Sequence, residues 1–195
     1  MRSLAIIIIL LLLTQHSRSQ ELDVIRTFDS TDHKRIYRIS KSDFQHIEMI
    51  ENLDGTFTGT LKNIIWKVNK KEERTKLVQQ KLSIPPYHVE QLMNIGLLNN
   101  IETLADCQDV KGCIIGLDGT SISFSIRTPV RNYSYRYWEP ENDHYQDSTI
   151  TEIKYVRAIL DGINKRMSLR TIYNSFTSDL PIGKYAYGGI IMTKK

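Results

Sequence analysis

Short runs of strictly alternating apolar and polar residues, separated by Asp-Gly pairs and prolines, constrain this chain more than any other feature. A period of two places successive side chains on opposite faces of a sheet, so each run reads as a half-buried strand. The alternation occurs in Lys34-Arg35-Ile36-Tyr37-Arg38-Ile39, in Thr120 to Thr128 with Ile122, Phe124 and Ile126 on one face, and in Asn132-Tyr133-Ser134-Tyr135-Arg136-Tyr137-Trp138. Phe44 to Ile50 and Phe57 to Val68 are two further candidates, joined through Asp54-Gly55. Asp-Gly between two β-prone runs is a strong hairpin signal, because a type I′ turn needs positive φ at both central residues. Asp118-Gly119 predicts a second hairpin between Cys113–Leu117 and the strand from Thr120, and Gly59 marks a bulge or a bend. Leu-Asp-Gly-Thr thus occurs twice, from Leu53 and from Leu117; a duplicated hairpin unit would give this repeat, but hairpin chemistry alone selects the same residues.

Helices are marked by a different period. Pro85-Pro86 suits the first turn of a helix whose apolar positions are Val89, Leu92, Met93 and Leu97, with Gly96 to cap or bend it. Thr149-Ile150-Thr151-Glu152 has the spacing of a capping box, and Ile153, Val156, Ile159, Leu160 and Ile163 follow as one stripe. Ser168 is placed to cap a second helix with Leu169, Ile172, Tyr173 and Phe176 on its inner side. The highly charged Lys70–Lys81 reads as a solvated helix or a long loop, and Tyr185–Met192 as a closing strand with Gly188-Gly189 at a bulge or close approach. Strands joined mainly by hairpins, with helices inserted between them, predict an α+β domain. Its sheet is largely antiparallel, with helices packed on one face.

The start of the chain bears on compartment. Arg2 precedes the unbroken apolar run Leu4–Leu13, and Ser17-Arg18-Ser19 offers small residues at a cleavage site. That is the layout of a secretory signal over residues 1–19, leaving 20–195 as a single domain. The apolar run is shorter than the roughly 20 residues a membrane-spanning helix needs, so no transmembrane helix is expected after processing. Gln20 to Asp32 reads as a polar leader arm. Cys107 and Cys113 are the only cysteines, and in an oxidising compartment a close pair is expected to form a disulfide. Their spacing is not that of a C-x-x-C redox motif.

Composition narrows function mostly by exclusion. The formal net charge of +4 falls by two when Arg2 and Arg18 leave with the signal. So small a balance, with no clustered basic stretch, argues against a nucleic-acid partner. No Gly-x-Ser-x-Gly elbow or His-Glu-x-x-His helix is present, and no catalytic residue, metal site or cofactor is assigned. His33, His46, His88 and His144 are scattered singly. The densest polar segment, Tyr137–Asp147, has the carboxylates of a Ca²⁺ loop but not the spacing of an EF-hand. Its acidic residues also suit the positive end of the helix that follows. Glu48 with Glu51, or Glu139 with Glu141, are the pairs a hydrolase of envelope polymers would use.

The candidate binding surface is the aromatic-basic strand: Tyr133, Tyr135, Arg136, Tyr137 and Trp138. Tyr, Trp and Arg are enriched where proteins recognise one another. Alternation puts the three tyrosines on one face and Arg136 with Trp138 on the other, so only one set can meet the core. Tyrosines packed beneath the helices, hydroxyls at the rim, are the simpler arrangement. Asn132-Tyr133-Ser134 is a formal N-glycosylation acceptor on this predicted strand.

Three stretches carry a resemblance: Asp118-Gly119 with Ser123-Phe124-Ser125, Tyr135-Arg136-Tyr137-Trp138-Glu139-Pro140, and Phe176 through Leu180-Pro181-Ile182-Gly183-Lys184-Tyr185. With the exported start, they make the C-terminal half similar to small, uncharacterised secreted proteins of Gram-negative bacteria. The resemblance implies a periplasmic or outer-surface setting and transfers no activity. The resulting expectation is an exported protein without catalytic activity that binds a protein or envelope partner, in the manner of an inhibitor or immunity protein. The alternative is the carboxylate-pair hydrolase.

Overall fold

The computed structural model describes residues 27–195. The predicted signal and the arm up to Arg26 lie outside the described residues. Eight strands and three helices follow in the order β1 (His33–Lys41), β2 (Gln45–Asn52), β3 (Phe57–Val68), β4 (Arg74–Ile84), α1 (Pro86–Leu98), β5 (Ser121–Thr128), β6 (Arg131–Trp138), α2 (Thr151–Arg166), α3 (Leu169–Ser178), β7 (Gly183–Tyr187) and β8 (Ile190–Lys194). All strands belong to one antiparallel sheet in the order β6-β5-β1-β2-β3-β7-β8, curled into a half-barrel. β4 covers the other edge of β3 from Gly59 to Val68. β3 outruns β2, and Trp66 and Lys67 at its far end pair with β7. The α+β, mainly antiparallel architecture is therefore the one the hairpin pattern dictates.

Register explains the core. Ile39 lies beside Ile47 on one side and Phe124 on the other, Ile47 continues to Leu61, and Phe124 to Tyr135. These rows form one face, and α2 sets Ile153, Val156, Ile159, Leu160 and Ile163 against it, all buried. α1 packs on β2, β3 and α2 through Val89, Leu92 and Met93. Gly59 is not a bulge: Met49 faces it in regular register, and a Cβ there would lie 2.5 Å from Val89 Cγ2. Its missing side chain lets α1 settle on the sheet. Gly96 stays inside α1, where Ile101 packs against it as the chain turns back. A second cluster joins α3 to the far end of the sheet through Ile65, Tyr173, Phe176, Leu180 and Tyr185. The amides buried beneath the helices are paired: Gln45 Nε2 donates to Asn63 Oδ1 and to the Leu169 carbonyl, and Asn63 Nδ2 donates to Gln80 Oε1.

Several local expectations are corrected. Lys70–Lys81 is neither helix nor loop, since most of it is β4, whose inward positions are Val78, Gln80, Leu82 and Ile84. An edge strand exposes a face and a flank to water, so its apolar content is low and its lysines discourage further pairing. Tyr185–Met192 is two strands, with Gly188 and Gly189 at φ 50° and 80° forming the two-residue turn between them. The β2–β3 connection is longer than a type I′ turn. Only Gly55 has positive φ, while Asp54 Oδ1 accepts from the Thr56 N–H and hydroxyl. No capping box forms: α2 begins after Ile150, and Asp147 Oδ1 takes the Thr149 N–H instead. Ser168 stands at the start of α3 without a side-chain cap bond. Cys113–Leu117 is irregular, because Gln146, and not a neighbouring strand, satisfies the backbone of Ile114.

Candidate functional site

The predicted binding strand is divided by its own alternation. Tyr135 and Tyr137 are buried and Tyr133 is half-buried, all on the helix side. Tyr135 stacks on Phe124 with ring centroids 4.9 Å apart. The hydroxyls of Tyr133 and Tyr135 donate to the Ile101 carbonyl at 3.2 and 2.7 Å, and that of Tyr137 to the Ala105 carbonyl at 2.6 Å. Three phenols thus hold the irregular segment after α1 against the end of the sheet. Burial pushes the ionisation of all three upward, keeping them neutral donors. Their role is internal. Arg136 lies exposed on the opposite face, its backbone N–H donating to Asp106 Oδ2.

Trp138 belongs to a different assembly. Its ring lies against Gly116, where a Cβ would fall 2.2 Å from Trp138 Cε2, and Tyr145 contacts it with ring centroids 4.6 Å apart. Trp138 Nε1 donates to the Asp118 carbonyl at 2.5 Å. Gln146, only 1% exposed, reads the Ile114 peptide from both sides: Nε2 donates to its carbonyl at 2.8 Å and Oε1 accepts from its N–H at 3.2 Å. The same Nε2 reaches the Trp138 carbonyl at 2.6 Å. Upstream, Cys107 and Cys113 form a disulfide with Cα atoms 5.5 Å apart, closing a turn capped by Asp106. Downstream, Glu139 Oε1 accepts from the Thr120 N–H. The loop 114–118 is thereby fixed at both ends, yet its apolar side chains point outward. Leu117 is fully exposed and Ile115 is 52% exposed, with Ile114 and Tyr145 beside them. A solvated apolar group on a tethered backbone has no folding role of its own.

The acidic segment frames this loop. Arg157 holds it with bonds to the Pro140 and Gln146 carbonyls and an ion pair to Asp143 at 2.5 Å. The backbone N–H and hydroxyl of Thr149 hold the Asp147 carboxyl below its usual range. A cavity of about 440 Å³ lies between Gly112–Ile114 and the stretch from Asp143 to Ser148. Its carboxylates do not converge: among the described residues no group of three or more His, Cys, Asp or Glu is disposed to hold a metal ion.

The two carboxylates of each pair have different surroundings. Glu48 pairs with Arg38, while Glu51, on the other face of β2, pairs with Arg35 and Lys34. Glu139 is turned to Thr120, and Glu141, an exposed residue, lines a small cavity together with Leu160 and Ile163. Two constellations had no linear signature. Arg35 gathers Glu51 at 3.1 Å and Glu102 at 3.7 Å, with the Tyr37 hydroxyl donating to Glu102. On the helix-free face, His46 Nδ1 lies 2.7 Å from Ser40 Oγ.

The fold defines an α+β protein with a curled eight-stranded sheet and an apolar loop tethered by a disulfide, a buried amide and an indole. The chain matches no protein-family model and no curated protein sequence. No described helix is long and apolar enough to cross a membrane.

Proposed function

We propose that the protein acts outside the cytoplasm, in the periplasm or at the cell exterior, by binding a protein partner without catalysis of its own, as an inhibitor or immunity protein does. The observation that carries this reading is the pairing of Ile115 and Leu117, exposed, with a backbone tethered on either side of them. Association loses less conformational entropy when the contact residues are already held in place. The disulfide fits an oxidising compartment. The contact surface therefore moves from the tyrosine face of β6 to the loop resting on Trp138.

A photo-crosslinking residue at Ile115 tests this in the exporting bacterium, with one at Leu53, exposed in the β2–β3 turn, as control. A single defined adduct from position 115 and none from position 53 is expected. No adduct, or equal yields from both positions, contradicts the reading.

A further inference from the structure

We propose that the loop Ile114–Asp118 is an inhibitory segment for an exported endopeptidase, with Leu117 as the side chain that enters the enzyme's primary pocket. The proposal rests on the binding reading and names the partner's class. A convex loop with one fully projecting leucine fits a concave, apolar cleft better than a flat surface. Ile115 and Leu117 flank Gly116, whose Cβ direction points at the Trp138 indole, and both of their side chains are open to a partner. Both flanks are braced from the core: Gln146 grips Ile114 on one side, and Trp138 and Glu139 hold Asp118 and Thr120 on the other. Cleavage requires a peptide bond to adapt to the enzyme, and a loop braced on both sides resists adapting. Such a segment occupies the cleft and is cut slowly. Asp118, exposed beside Leu117, carries a carboxylate to the rim of the contact, which suits an enzyme whose cleft rim is basic.

The purified, oxidised protein is assayed against chymotrypsin and subtilisin, which accept large apolar side chains, and against trypsin, whose pocket holds a carboxylate. Hydrolysis of a small chromogenic peptide is the readout. The wild type is expected to inhibit the first two and not trypsin. Leu117→Asp should weaken inhibition by at least about tenfold, the loss of a buried leucine contact. Leu117→Lys should transfer inhibition to trypsin. Because Leu117 contributes nothing to the core, both variants should melt with the wild type, and circular dichroism checks this. Absence of inhibition in all three arms overturns the proposal, as does rapid cutting after Leu117. A crosslinked partner at Ile115 that is no endopeptidase sinks this inference and leaves the binding reading standing.

Discussion

Gly116, Trp138 and Gln146 are separated in sequence and meet at one loop, where each does something another residue type cannot. A Cβ at Gly116 would stand 2.2 Å from the indole of Trp138, so Gly116→Ala must displace either the loop or the ring. Overpacking of this kind costs about 1–3 kcal/mol. A lowered melting temperature and altered Trp138 fluorescence are expected, and an unchanged spectrum would refute the contact. Gln146→Ala removes both partners of the Ile114 peptide and one from the Trp138 carbonyl. Leaving buried polar groups unpaired costs about 1–3 kcal/mol, measurable by urea unfolding. The tyrosines are simpler: Tyr137→Phe loses one hydrogen bond to Ala105 while keeping the ring, a cost of about 1 kcal/mol.

The elements show why some of the chain is legible and some is not. β1, β5, β6 and α2 announce themselves because their apolar positions recur at the element's own period against a continuous core. β4 hides because it sits at an edge, and its alternation of Val78, Gln80 and Leu82 is drowned by charge. Cys113–Leu117 misleads in the opposite sense: its apolar content belongs to an exposed loop. Gln146, which fixes that loop, carries no sequence signal, since a buried amide is known only once its partners are placed. The tyrosine face could be deduced from alternation, but the carbonyls it binds at Ile101 and Ala105 could not. The disulfide lies within one local segment, closing a loop of six-residue separation. The chain-entropy relation puts its contribution at about 2 kcal/mol. Cys107→Ser with Cys113→Ser should therefore leave a folded protein whose circular dichroism matches wild type; global unfolding at room temperature would show the bridge holding far more than its loop.

At the scale of the whole molecule, the buried phenols of Tyr37, Tyr135, Tyr137 and Tyr173 set the response to alkali. Burial is the main cause in each, and it raises their ionisation above the ordinary value of 10.0. Above that pH the unfolded chain releases protons that the folded protein retains, so the unfolded state gains. Stability from these groups is complete below pH 10 and is lost progressively above it. Melting temperature should be flat through neutral pH and fall steeply beyond about pH 10. Absorbance at alkaline pH should show these tyrosines ionising together with unfolding; independent titration in the folded state would mean the hydroxyls are open to solvent.

The apolar loop after the disulfide is held in place by the body of the protein while its side chains stay outside. Amide hydrogen exchange across residues 113–120 measures this without knowledge of any partner. The Ile114 and Thr120 amides, bonded to Gln146 and Glu139, should exchange nearly as slowly as those of β5, which is paired on both sides, and Gln146→Ala should release Ile114. Exchange at the rate of an unstructured peptide in the oxidised wild type would mean that the loop is not held by Gln146 and Glu139.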